Sequence, residues 1–145
     1  AKKAKGIKNV NDVKGDFMEY ELGEEQYDCI ASIATVHHLP MEEFLIKAKA
    51  ALKPGGVLLV LDLYRQESLA EYILSAAAAP LNLLFMLAKN SCLRVNEEER
   101  KVWQEHARHD SYMSIKDIRN TADKIIPGAE IYRHLFWRYS LVWKK

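Results

Sequence analysis

Two apolar runs, "YDCIASIA" (27–34) and "VLLVLDLY" (57–64), set the tightest limit on what this chain can fold into. Each is too continuously apolar for a strand with one wet face. Both fit strands of a parallel sheet buried on both faces. Between them, Phe44, Ala48 and Ala51, together with Leu45 and Leu52, recur at helical spacing over 41–52. "KPGG" (53–56) stops that helix, because proline cannot continue it and the glycines accept positive φ. Strand, helix, glycine turn and strand in this order form a crossover unit, so the strands run parallel and the connection is right-handed.

The flanking segments are less regular. "IKNVNDVKGDF" (7–17) has room for a short strand ending near Gly15-Asp16. Before it, "AKKAKG" reads as the last turn of a helix with Gly6 at the left-handed position, or equally as a disordered basic tail. From 68 to 110 the pattern turns helical. Ser68 with Glu71 and Asn96 with Glu99 mark helix starts, and Pro80 interrupts. Ser114 and Asp117 open a further helix whose Ile115, Ile118, Ala122 and Ile125 share a face, and Pro127-Gly128 ends it. The aromatic tail, 129–145, predicts one long strand or two antiparallel ones with a turn near 136–138.

Composition narrows the function classes. Of 145 residues, 49% are hydrophobic and 28% charged, as in an ordinary globular domain, and the net charge of +1 offers no field for nucleic acid. Cys29 and Cys92 cannot form a disulfide framework and read as small buried thiols of a reducing compartment. The longest apolar segment, 73–88, is short for a membrane span and is interrupted by Ser75, Pro80 and Asn82. A cytoplasmic protein with no membrane span is expected.

Ligands of open parallel sheets bind beyond the carboxyl ends of the strands, where Gly15-Asp16, residues 32–34, the two histidines and residues 62–64 all fall. Here the chain resembles class I S-adenosylmethionine-dependent methyltransferases. "GDF" at 15–17, "YDCIASIATVHHLP" at 27–40, "ALKPGGVLLVLD" at 51–62 and the final aromatic strands match that family in order and spacing. The resemblance implies an α/β, Rossmann-like fold with parallel buried strands, helices on both faces and an antiparallel C-terminal strand. It also implies S-adenosyl-L-methionine as cofactor and a small-molecule methyl acceptor. Asp16 would accept from the adenine amino group, the Phe17 backbone would read the ring edge, and Ser32 and Ile33 would border the methionine part. Asp16 also has a plain alternative, a turn residue that caps its own backbone.

The departures are specific. None of the six glycines forms Gly-x-Gly, and the family's ribose-binding acidic residue is absent from the chain. The expectation is a single partial methyltransferase domain over 1–145, the C-terminal portion of such an enzyme. Residues 1–67 and 111–145 would make its core. The helical insert 68–110 would make a substrate lid, with Tyr64, Phe85, Met86 and Trp103 lining an apolar pocket. The edge of "YDCIASIA" would then be uncovered and prone to self-association. A non-catalytic interaction module built on this fold is the alternative. A nicotinamide oxidoreductase is disfavoured, since "LKPGG" at 52–56 argues against it.

Adjacent strand residues point to opposite faces, so His37 and His38 do not converge on a metal while extended. Packing or lining the pocket comes first for them. A general-base role, suited to a side chain that titrates near neutral pH, comes second. His106, His109 and Asp110 have a spacing zinc can use, but a solvated helix face accounts for them better, and no metal site is expected. Trp137, Tyr139 and Trp143 read as sheet packing, not as a stacking platform for bases.

Overall fold

The computed structural model describes residues 8–67, 72, 73, 80 and 112–145. Strand β1 (Tyr27–Ile33) leads through a single 3₁₀ turn (Val36–His38) into helix α1 (Met41–Ala51), which is followed at once by strand β2 (Leu52–Leu63). Helix α2 (Ile115–Ile125) precedes the strands β3 (Glu130–His134) and β4 (Arg138–Lys144). The four strands form one sheet in the order β1-β2-β4-β3. β1 and β2 are parallel, as the crossover requires, while β4 is antiparallel to both β2 and β3.

One face of the sheet carries the core. Leu58, Val60 and Asp62 of β2 alternate inward with Tyr139, Leu141 and Trp143 of β4, and all six are buried. α1 packs against β2 and against α2, so both helices cover this face. α1 contributes Met41, Phe44, Leu45, Ala48 and Ala51, spaced on one stripe. α2 contributes Ile115, Ile118 and Ala122, and Ile126 just beyond it is fully buried. Ser114 caps α2, its hydroxyl accepting from the Asp117 amide at 3.2 Å.

Three expectations need correction. Residues 7–17 form no strand over the described positions, because no neighbouring strand there satisfies their backbone groups. β1 is not buried on both faces: it is an edge strand, Ile33 is 70% exposed, and Leu59 of β2 is 40% exposed on the same side. Among the described residues, α1 and α2 cover one face of the sheet. Cys29 is an exposed thiol on that open side. The helix-end reading of 1–6, the caps at Ser68 and Asn96, the bulk of 68–110 and Cys92 lie outside the described residues.

The glycine turn does more than stop the helix. β2 begins at Leu52, paired with Tyr27, and the next pairing is Cys29 with Val57, so residues 53–56 bulge out of the ladder. Gly55 has φ +80°. At Gly56 a Cβ would stand 2.9 Å from the Lys53 carbonyl oxygen and 3.1 Å from that of Tyr27. The chain's last residue closes the bulge: Gly55 donates to the Lys145 carbonyl, and Lys145 donates back to Gly56. Gly56→Ala should therefore lower stability by about 1–3 kcal/mol, the range for forced overpacking. Gly15→Ala, with no atom near its would-be Cβ, should stay within about 0.5 kcal/mol of the parent in a denaturant titration.

Candidate functional site

At the carboxyl end of β2 stands a buried carboxylate, Asp62, 2% exposed. A carboxylate there must be fully hydrogen-bonded, because burying an unpaired charge is costly. Its donors come from the loop after β1. Ala34 extends the ladder by donating to the Leu61 carbonyl at 2.8 Å, but takes a left-handed φ of +50°. That reversal aims the following amides inward. Thr35 and His37 donate their backbone N–H groups to Asp62 Oδ2 at 3.2 and 3.1 Å. Leu63 donates its amide to Oδ1 at 2.7 Å, and His37 Nδ1 meets the same oxygen at 2.5 Å.

This fixes the chemistry of His37. An ionised carboxylate only accepts, so Nδ1 is the donor to it, and whenever the ring is neutral Nε2 is left as its basic nitrogen. The ring is clamped: it stacks on Tyr112 with centroids 5.2 Å apart and lies 3.9 Å from the His38 ring. Its side chain is 7% exposed. His38 is exposed and pairs with His37 through its ring, so the two histidines are neighbours with different surroundings.

A cavity of about 160 Å³ opens beside the pair, walled by apolar side chains that include Val36, Met41 and Ile118, with His37 and Tyr139 as its polar members. Tyr139, 2% exposed on β4, makes no hydrogen bond through its hydroxyl among the described residues. Burial first, and then the negative charge of Asp62, push its phenol well above the ordinary value of 10.0. The β3–β4 turn adjoins the same strand end. Phe136 and Trp137 both sit at positive φ, near +60°, and the Trp137 carbonyl accepts from the Tyr64 amide at 2.9 Å. Tyr64 itself is buried in the core.

Of the other candidates, Ser32 and Ile33 end β1 just before the Ala34 turn, and the Ile33 carbonyl accepts from the Thr35 hydroxyl at 3.0 Å. Asp16 is exposed, and its Oδ1 accepts from the Met18 amide at 2.8 Å, the self-capping turn that its sequence allows. Phe17 packs on Phe44, centroids 5.2 Å apart. Lys47 of α1 holds the segment by donating to the Phe17 and Met18 carbonyls at 2.8 and 2.7 Å. Ser32 is half-buried and Ile33 largely exposed at the end of β1. No hydrogen bond or ring contact joins Asp16 and Phe17 to Ser32 and Ile33 among the described residues. Phe85, Met86, Trp103, His106, His109 and Asp110 lie outside the described residues. Sequence reasoning put Asp62 at the ligand end of the sheet without giving it a role, read Tyr139 as sheet packing and did not single out Tyr112. The available signal was one acidic residue at an inward-facing position of an otherwise apolar strand.

Residues 1–60 match the family model described as a methyltransferase domain. No curated protein matches the sequence. Among solved structures, a SAM-dependent methyltransferase from Aquifex aeolicus is similar at 16% identity and a TM-score of 0.56, covering 99% of this chain and 60% of that one. The PH0226 protein of Pyrococcus horikoshii gives 15% and 0.57, over 99% of this chain and 63% of that one. A SAM-dependent methyltransferase from Thermotoga maritima gives 16% and 0.52, over 92% and 63%. The chain thus spans less than two thirds of each of these structures, and its fold is the Rossmann-like fold of methyltransferases.

Tyr139 makes the site's stability depend on pH. The native phenol keeps its proton at a pH where the unfolded one, near 10, has lost it. Its contribution is complete below pH 10 and is lost as pH rises above that point, by up to about 1.4 kcal/mol per pH unit. Tyr139→Phe should be no less stable than the parent at pH 7 and should lose less stability above pH 10. Urea titrations at neutral and alkaline pH measure both effects.

Proposed function

We propose that the chain, whose residues 1–60 match the methyltransferase-domain model, takes part in S-adenosylmethionine-dependent methyl transfer to a small-molecule acceptor in the cytoplasm. The observation that carries this reading is the position of the His37–Asp62 pair, at the carboxyl ends of two parallel strands beside an apolar cavity. That is where open α/β sheets bind their ligands. When bound, the cofactor supplies an electrophilic methyl group. His37 Nε2 would take the acceptor's proton, with Asp62 holding the ring and its tautomer. The apolar walls would exclude water and hold the acceptor in line.

The residues fit the cofactor in part. Asp16 is exposed and keeps Oδ2 without a hydrogen bond among the described residues, as an acceptor for an adenine amino group should. Ile33 presents apolar surface at the end of β1, suited to the methionine part, with Ser32 beside it. The sequence holds no Gly-x-Gly for the cofactor's remaining contacts. We therefore assign the chain the acceptor side of the site and weak cofactor affinity by itself.

One observation favours a second reading, an interaction module. The outer edge of β1 has no ladder partner among the described residues, and the open sheet face beside it exposes Ile33 and Leu59. Such an edge pairs readily with another strand, including that of a second copy. No described helix is long and apolar enough to cross a membrane.

Titrating S-adenosylhomocysteine into the chain and following amide shifts by NMR separates the two readings. Methyl transfer predicts millimolar-range shifts at Asp16, Phe17, Ser32 and Ile33, weakened by Asp16→Ala by about 1–3 kcal/mol, the cost of a lost polar partner. No shift at these four positions at saturating ligand, with light scattering that shows association through β1, would favour the module.

A further inference from the structure

The Asp62 carboxylate has four hydrogen-bonding positions of its own, and four donors already fill them: the amides of Thr35, His37 and Leu63, and the His37 ring. The Tyr139 hydroxyl, buried close enough to feel that charge, therefore finds no acceptor there. It makes no other hydrogen bond among the described residues. Native structures seldom bury a hydroxyl without a partner, and such a group marks a place for something else. Tyr139 lines the same cavity as His37.

The size and lining of that cavity select the partner. Its volume is about 160 Å³, and its walls include Val36, Leu39, Met41, Leu63, Met113 and Ile118. A dry apolar cavity of about 150 Å³ takes one benzene-sized ring. A fused bicyclic system would leave its second ring at the cavity's open side. One ring fills the apolar volume, and His37 and Tyr139 are the lining side chains that offer it polar atoms.

From this geometry we infer that the cavity is the acceptor subsite and takes a monocyclic phenol. This inference rests on the methyl-transfer reading. The phenol oxygen accepts from the Tyr139 hydroxyl, and its own proton passes to His37 Nε2. With the cofactor bound, the oxygen would form the new bond to its methyl carbon as the carbon–sulfur bond of the sulfonium breaks, which would leave a methyl aryl ether, a neutral thioether and a protonated His37. Tyr139 orients the oxygen and remains protonated, since its phenol is held well above the ordinary range.

The test is binding without cofactor, so its failure is distinguishable from failure of the cofactor assignment. Phenol, benzene and 1-naphthol are titrated separately into the chain, with the amides of Val36, His37 and Ile118 followed by NMR. Phenol should bind about tenfold more tightly than benzene, the scale of one hydrogen bond, and 1-naphthol should bind less well than phenol. Tyr139→Phe should bring phenol down to the benzene level and leave benzene unchanged. Leu39→Phe, which fills the cavity from a half-buried position, should abolish binding of both while the amide spectrum stays dispersed. Equal affinity for phenol and benzene in the parent would overturn the proposal, as would undiminished phenol binding by Tyr139→Phe. So would 1-naphthol binding as well as phenol.

Discussion

A carboxylate placed on the covered face of a sheet has to be surrounded by donors, and Asp62 organises the strand-end region for that reason. Hydrogen bonds to a charged acceptor contribute about 1.5–3 kcal/mol each, more than neutral ones. Three of the four donors to Asp62 come from residues 35–37, which are not part of any ladder. The left-handed turn at Ala34 costs on the order of 1–2 kcal/mol, a strain that this cluster of charged hydrogen bonds offsets. The loop after β1 therefore has one conformation, and His37 has one orientation. Satisfying a buried charge and preparing a basic nitrogen are here the same arrangement.

The second constraint is the closure of the sheet around β2. β2 is a central strand, parallel to β1 on one side and antiparallel to β4 on the other. The glycine bulge at its start is locked by the chain's last residue, and its end is tied to the β3–β4 turn through Tyr64. Both ends of the strand that carries Asp62 are thus fixed by β4 and its turn. Tyr139 sits on β4 directly opposite Asp62, which is why a tail that reads as simple sheet packing also supplies a wall of the cavity.

The crossover was legible because its signals are local and redundant: two apolar runs, a helical stripe through Phe44, Leu45 and Ala48, and glycines where a Cβ cannot fit. The capped helix at Ser114 was legible for the same reason. Exposure was not. "YDCIASIA" is apolar enough for a strand covered on both faces, but what lies against a strand is a property of the whole sheet, and β1 is at its edge. The left-handed Phe136 and Trp137 carry no glycine or asparagine to announce them. They persist because Tyr64 holds the turn from another strand. Asp62 was visible as an acidic residue at a strand end, yet its role depends on two amides and an imidazole some 25 residues away in the chain.

The central claim is that Asp62 sets the tautomer of His37, and ¹⁵N NMR of the imidazole nitrogens of this chain tests it most directly. At a pH where the ring is neutral, His37 should show a protonated Nδ1 and an unprotonated, pyridine-type Nε2, and Asp62→Asn should abolish that preference. A His37 ring that carries its proton on Nε2 in the parent chain would contradict the account, because the nitrogen offered to the cavity would then be a donor and not a base.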